Sequence, residues 1–196
     1  MILGLDLDGV TAEYVDGLRT FVARRHGFSP EDIARHLPEV EDYGFSDWSG
    51  FGEDFFTYHT QAVEEGLYRG ISPLEGASKT LWKLSDEGHH IRVITKRFVK
   101  NGQHGRVVAD TAAWLEEFGI PYRDLAFLSK KTDLFADVYI DDAPSNIELF
   151  KKEWKDHIIF DAPYNRHLKG DRAHNWSELY DLIQDRVTIE NTRRQD

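Results

Sequence analysis

The stretch Met1-Ile2-Leu3-Gly4-Leu5-Asp6-Leu7-Asp8-Gly9-Val10 decides how the rest of the chain is read. Ile2 to Leu7 is a short apolar run, broken by one carboxylate and ended by Gly9, which is the pattern of a buried strand. Side chains alternate along a strand, so Asp6 and Asp8, two residues apart, project to the same side. They stand at the strand's carboxyl end, where ligands bind in open α/β sheets, and Gly9 lets the backbone turn sharply away. Two carboxylates held together by the chain repel each other and require a proton or a cation.

Outward from this strand, Tyr14, Leu18, Phe21 and Val22 have helical spacing over 14–26, and Gly27 is the expected stop. From about 28 to 70 aromatics gather among Gly, Asp and Ser, and short helices and loops with no long strand are expected. After Ser72-Pro73 an α/β rhythm sets in. Helices are expected over about 75–87, 106–118 and 144–154, with a last one from Ser177 to about 185. Strands are expected at Ile91–Ile94, Leu125–Leu128, Val138–Ile140 and Ile158–Phe160, of which Leu125–Leu128 is the weaker pattern and Val138–Ile140 a strong one. Strands alternating with helices imply a parallel sheet with helices on both faces. The expected division is an α/β core at 1–12 and 72–186, a helical cap inserted at 13–71, and a polar, frayed tail at 187–196.

The chain has 196 residues, and its 35 acidic against 24 basic side chains give a net charge of −11. Such a charge opposes extended nucleic-acid binding, which normally needs a basic field, while a small anionic substrate stays possible where a local cation overrules the global charge. The absence of cysteine excludes disulfides, thiol nucleophiles and thiolate metal sites. No run approaches the ~20 apolar residues of a membrane span, and no leader is evident, so a cytoplasmic setting is expected. An oligomer is left open.

A second acidic pair, Asp141-Asp142, ends the apolar run Val138-Tyr139-Ile140. Four acids at two strand ends, with no Cys or His cluster beside them, describe a hard oxygen site suited to Mg²⁺. The plainer reading of Asp6-x-Asp8-Gly9 is a calcium loop or acidic turn. A helix-flanked calcium loop needs further oxygen ligands and a Glu at fixed offsets, whereas Leu5, Leu7 and Val10 suit a buried strand. Thr95 terminates the strand 91–94, where its hydroxyl and the next backbone N–H could hold a phosphate oxygen; alone it is as readily a turn cap. Lys131, ahead of the 138–142 strand, could offset the crowded carboxylates and a transferring phosphoryl group.

In order, Asp6-Leu7-Asp8-Gly9-Val10, Val93-Ile94-Thr95, Lys131 and Ile140-Asp141-Asp142 resemble the four motifs of the haloacid dehalogenase superfamily. Within it the chain is most similar to the pyrimidine 5′(3′)-deoxyribonucleotidase-like group. The further text is Ala12-Glu13-Tyr14, Trp114-Leu115, Gly119-Ile120-Pro121-Tyr122, Ala143-Pro144-Ser145-Asn146-Ile147, Phe160-Asp161-x-Pro163-Tyr164-Asn165-Arg166 and Asn175-Trp176. The similarity covers about residues 1–185, and Lys131-Thr132, ten positions before Asp141, favours Lys131 over Lys130. At the second motif this chain has Thr95-Lys96-Arg97, where deoxyribonucleotidases of established activity carry Thr-Ser-Pro.

The resemblance implies a three-layer Rossmann-like fold with a cap after the first strand. It implies a phosphomonoester hydrolase in which Asp6 attacks phosphorus and Asp8 is the acid and base. Mg²⁺ would be held by Asp6, the Asp8 carbonyl and one of Asp141 or Asp142, with Thr95 and Lys131 on the phosphoryl group. Gly9, Lys96 and Arg97 would stand on the substrate side. Tyr43, Phe45, Trp48 and Phe51 could stack on a base, against the plainer reading that they fill the cap's own small core. Arg106 and His104 could steer an anion, and Tyr164-Asn165-Arg166 reads as a loop lock. Gly50-x-Gly52 lacks the context of a dinucleotide site, and His89-His90 reads as a solvated turn. The expected substrate is a small phosphorylated molecule, a nucleoside monophosphate first; another phosphomonoester, a nucleic-acid terminal phosphate, or an inactive binding scaffold are the alternatives.

Overall fold

The computed structural model describes residues 1–48, 55–97 and 103–193, so Phe51 and Gly50-x-Gly52 lie outside the described residues. Among the described residues the apolar runs become five strands and a short sixth joins them: β1 (Ile2–Leu5), β2 (His90–Thr95), β3 (Asp124–Phe127), β4 (Val138–Asp141), β5 (His157–Phe160) and β6 (Arg172–Ala173). All neighbouring pairs are parallel, in the order β3-β2-β1-β4-β5-β6. Leu5 therefore stands between Val93 of β2 and Ile140 of β4. The strand order reverses at β1 and β4, the switch point outside which open α/β sheets bind ligands.

Eight α-helices among the described residues accompany the sheet: α1 (Tyr14–His26), α2 (Pro30–His36), α3 (Phe55–Glu64), α4 (Leu67–Gly70), α5 (Ala77–Asp86), α6 (His104–Glu117), α7 (Pro144–Lys152) and α8 (Trp176–Arg193). Local chemistry marks their ends. Gly27 closes α1 in the left-handed region at φ 65°, its amide reaching back to Ala23 and Arg24 carbonyls. Ser29 and Asp32 form a reciprocal capping box at α2, and Pro144 starts α7 where no amide donor is needed.

Alternation along the strands builds the layers. Leu3, Leu5, Val93 and Ile140 face one side and join the cluster that holds Leu81 and Leu84 of α5 and Leu179 and Ile183 of α8. Ile94 and Tyr139 face the other side and pack with Phe150 of α7. Gly4 belongs to this tighter face: a Cβ there would come within 2.9 Å of the Ala136 Cβ.

The α1–α4 segment contains no strand among its described residues, as expected. It does not, however, have a small core of its own. Leu18, Val22, Ala62, Val63 and Tyr68 belong to the same apolar cluster as the sheet residues. The reason is close docking: the Trp114 indole of α6 donates to the Ile71 carbonyl at 2.7 Å, and a Cβ on Gly17 of α1 would meet Ile71 at 2.2 Å.

Three local expectations change. The last helix does not stop near 185 but runs on to Arg193, because the segment Arg186–Thr192 holds no proline or glycine to end it. The two-residue β6 is too short to carry a periodic pattern. His89 is 6% exposed rather than solvated, and His90 starts β2 with its imidazole on Asp124 at 2.6 Å. No helix among the described residues is long and apolar enough to cross a membrane.

Trp114→Phe should keep the ring packing but strip the donor from the Ile71 carbonyl. A loss of about 1–3 kcal/mol is expected in chemical denaturation, and an unchanged midpoint would show that water replaces the indole there.

Candidate active site

The carboxyl ends of β1, β2 and β4 bring together residues far apart in sequence. Asp6 follows β1 directly, its amide held by the Ile140 carbonyl at 3.0 Å, and its side chain is buried. The chain then folds into a tight loop in which the amides of Val10, Thr11 and Ala12 all converge on the Leu7 carbonyl. Thr11 also donates its hydroxyl to the Asp6 carbonyl at 2.8 Å. Gly9 sits in this loop at φ 79°, and a Cβ on it would fall 2.1 Å from the Asp142 carboxylate. Glycine is needed there twice over, for the conformation and for the space.

Lys131 is fully enclosed in a one-turn 3-10 helix, Lys131–Asp133, just before β4. Its Nζ lies 2.7 Å from Asp6 Oδ2 and 2.6 Å from Asp141 Oδ2. Burial alone would push its pKa down, but the Asp141 and Asp6 carboxylates outweigh that and hold it above the ordinary lysine value. Lys130 points elsewhere, to Glu153 at 2.8 Å on the surface.

The two acids after β4 differ in what they have left to offer. Asp141 accepts from Lys131, from the Ala143 amide at 3.0 Å, and from the Asn146 amide on both oxygens. Among the described residues, the Asp142 side chain accepts only the Tyr164 hydroxyl, and it lines the cavity. Asn165 fixes this loop by donating to the Asp142 and Phe160 carbonyls, both at 2.8 Å, which is the backbone lock suggested by the sequence. Carboxylate oxygens of Asp6, Asp141 and Asp142 lie within 4.8 Å of one another, so this trio could hold a divalent cation. Burial raises Asp6 to about 7; Lys131 opposes the rise, and Asp141 and Asp8 add to it. Asp142 is also held well above the usual carboxylate range, by burial and then by Asp6 and Asp141. Three carboxylates sharing one ammonium lack two positive charges, and an all-oxygen set with that deficit fits Mg²⁺.

Asp8 and Arg97 pair in a way the sequence did not reveal. Arg97 does not line the cavity as a substrate contact: its side chain is fully buried, with Nη2 2.7 Å from Asp8 Oδ1 and Nε 3.1 Å from both Asp8 oxygens. Its guanidinium lies over the Tyr68 ring, 4.2 Å from the centroid, and Nη1 donates to Thr111 at 3.1 Å. An arginine this deep needs a carboxylate, and Asp8 is the one within reach. Thr95 is 1% exposed, lines the cavity, and its hydroxyl has no hydrogen-bond partner among the described residues. Lys96 lines the same cavity and is exposed.

The cavity itself has a volume of about 610 Å³, with Asp6, Asp8, Gly9, Thr95 and Asp142 on its floor. Tyr43 and Phe45 line it. Trp48 does not, because its ring is buried edge-on against Phe45 and its indole donates to the Pro38 carbonyl at 3.0 Å. Arg106 is exposed and pairs with Asp110, one turn on, at 3.3 Å. The lining also includes Tyr14, Phe55, His59, Tyr68 and Asn146, none assigned a role from sequence. The i, i+4 spacing of Phe55 and His59 on one helix face was the available signal, but it is equally the signal of a packed face.

The strand order, the acidic floor at the switch point and the roofed cavity define a phosphohydrolase-type site on a haloacid dehalogenase-like fold. Comparison with known proteins agrees. A haloacid dehalogenase-like hydrolase from Streptococcus pneumoniae superposes with a TM-score of 0.57 at 10% identity, over 93% of this chain and 97% of that one, a likeness of fold. Residues 1–189 match the family model described as 5′ nucleotidase, deoxy (Pyrimidine), cytosolic type C protein, and the chain belongs to that family of phosphoric monoester hydrolases. A protein named "Putative 5′(3′)-deoxyribonucleotidase" from Chlorobaculum tepidum is 36% identical over 190 residues, 96% of this chain and 92% of its own. The 5′(3′)-deoxyribonucleotidase of Bacillus subtilis is 28% identical over 120 residues, 60% of this chain and 65% of its own.

Two outcomes follow from the buried charges. Lys131→Met leaves Asp6 and Asp141 without their shared cation and should cost about 3–5 kcal/mol of stability in chelator, part of it recovered by adding Asp6→Asn. The titration of Asp6 gives a second. Its folded pKa, about 7, lies above the ordinary aspartate value of 3.8, so the folded state holds the proton more tightly. Its contribution is full below the unfolded pKa and lost as pH rises through about 7. In chelator, the unfolding free energy of the unmodified protein should therefore decline relative to Asp6→Asn between pH 5 and 8; parallel curves would contradict the raised pKa.

Proposed function

We propose that this phosphomonoester hydrolase is a Mg²⁺-dependent 5′-nucleotidase acting on (deoxy)ribonucleoside monophosphates through an aspartyl-phosphate on Asp6. The observation that carries the reading is one cavity that joins Asp6, Asp8 and the unpartnered Thr95 hydroxyl to a roof of aromatic rings. An anionic group seated on the floor takes the Thr95 hydroxyl as donor, while the ester's organic part meets Tyr43, Phe45 and Phe55.

Asp6 attacks phosphorus in line, the P–O bond to the leaving group breaks, and the leaving oxygen takes a proton from Asp8. Asp8, now a carboxylate, takes a proton from the water that attacks the aspartyl-phosphate, which regenerates Asp6 and releases inorganic phosphate. Lys131 sits against one Asp6 oxygen and opposes the charge that gathers around the nucleophile. Arg97 holds Asp8 at a fixed orientation between the floor and the roof. Asp6 and Asp142 are the carboxylates with capacity left for Mg²⁺, together with the Asp8 carbonyl, while Asp141 acts as their hydrogen-bonded anchor. When bound, the cation would shield the nucleophile from the phosphate's charge.

The α1–α4 segment serves as the cap, excluding water and contacting the leaving group. The family's description as cytosolic supports a cytoplasmic setting.

Asp6→Asn should abolish turnover while the protein stays folded, and chelator should abolish it reversibly, with Mg²⁺ restoring it. In a panel of phosphomonoesters, deoxyribonucleoside and ribonucleoside 5′-monophosphates should exceed sugar and simple alkyl phosphates in kcat/KM by about tenfold or more. Equal rates across the panel would remove the nucleotide assignment, and an active Asp6→Asn would remove the nucleophile.

A further inference from the structure

Helices α4 and α6 meet around the guanidinium of Arg97, which follows β2 by two residues and has no exposed side-chain surface. Its central carbon lies 4.2 Å from the ring centroid of Tyr68 on α4 and 5.8 Å from that of Trp114 on α6. Nη1 donates to the hydroxyl of Thr111, three positions before Trp114 on the same helix. Thr111 and Trp114 are both fully buried, and Trp114 is tied to the end of α4 through the Ile71 carbonyl. The other two nitrogens go to Asp8, whose side chain is 24% exposed and lines the cavity. The grip is uneven. Oδ1 accepts Nη2 at 2.7 Å and Nε at 3.1 Å, whereas Oδ2 accepts Nε alone among the described residues, at 3.1 Å.

An aspartate on a loop turns freely about two bonds, but a planar fork of donors admits a narrow range of carboxylate orientations. The fork itself is held: aromatic rings lie over its plane, Thr111 engages its far end, and a buried guanidinium stripped of its carboxylate is strongly destabilising. The orientation of Asp8 is therefore set by α4 and α6 as well as by its own loop. General-acid catalysis requires the proton donor within hydrogen-bonding reach of the leaving oxygen, and a displacement of about 1 Å lowers the rate by about 10²-fold.

We infer that Arg97 is a positioning residue through which the packing of α4 against α6 controls protonation of the leaving group by Asp8. This rests on the proposed acid role of Asp8 and extends it to the helices that seat its cation. In that step the bond from Asp6 to phosphorus forms and the P–O bond breaks. The electron pair stays on the leaving oxygen, which takes the proton from Asp8. The alcohol oxygen of a sugar is strongly basic and needs that proton, whereas nitrophenolate spreads its charge over the ring and departs without it. Removing Arg97 therefore penalises an ester according to the basicity of its leaving oxygen.

Three esters and a double-mutant cycle test this. In p-nitrophenyl phosphate, phenyl phosphate and deoxyuridine 5′-monophosphate the leaving oxygen is progressively more basic, and the two aryl esters share a ring. The unmodified protein, Arg97→Met, Asp8→Asn and the double variant are compared by kcat/KM with Mg²⁺ present, which leaves out the later hydrolysis of the phosphorylated Asp6. The loss in Arg97→Met should grow along the series, from at most about threefold on p-nitrophenyl phosphate to about tenfold or more on the nucleotide. Once Asp8 is Asn, the same change should make little further difference. An equal loss on all three esters overturns the inference, and so does an equal fold-loss with and without Asp8, because Arg97 would then serve the fold alone. If Asp8→Asn lowers all three esters alike, the acid role of Asp8 falls and the inference with it. If Asp8→Asn shows the graded loss and Arg97→Met does not, only the assignment to Arg97 falls. Should Arg97→Met fail to fold, Thr111→Val applies the same criterion with a smaller expected shift, since it removes the Nη1 partner at a position outside the cavity's described lining.

Discussion

A buried ammonium between two carboxylates is the constraint around which the site is arranged. Lys131 touches Asp6 and Asp141, which end strands adjacent in space but 135 positions apart in the chain. Lys131 and Asp141 are almost wholly buried, so the three groups depend on strands β1 and β4 keeping register. The rest follows from that requirement. Asn146 and the Ala143 amide occupy what remains of Asp141, Tyr164 steadies Asp142, and Gly9 leaves the space into which the Asp142 carboxylate projects. Burial and the negative excess that remains appear as raised carboxyl pKa values at Asp6 and Asp142.

A second buried pair sets the other half of the site. Asp8 and Arg97 join the floor to the roof, because the same guanidinium that grips the carboxylate lies on the Tyr68 ring of α4. Asp6 and Asp8 are therefore held by different cations, Lys131 and Arg97. Two carboxylates two residues apart can in this way be given different environments, which is what distinct chemical roles require.

The parallel sheet and its acidic ends were legible in sequence, since buried strands and strand-terminal carboxylates leave local marks. Asp6, Thr95, Lys131 and Asp142 are brought together as their positions after apolar runs suggested. What was not legible depended on tertiary geometry. Arg97 follows Thr95 by two residues and reads as a substrate contact, yet only the fold shows that it turns inward to Asp8. Trp48 and Tyr43 look alike in an aromatic-rich stretch, and one is cap packing while the other lines the cavity. The His59–Tyr14 pair spans 45 positions and leaves no periodic trace.

The apolar cluster shared by the α1–α4 segment and the sheet gives this protein a particular mechanical character. A roof with its own core can hinge as a rigid body at small energetic cost, whereas here any wide opening would expose side chains that also support the catalytic floor. The shared apolar packing thus ties the α1–α4 segment to the sheet that carries the acidic floor.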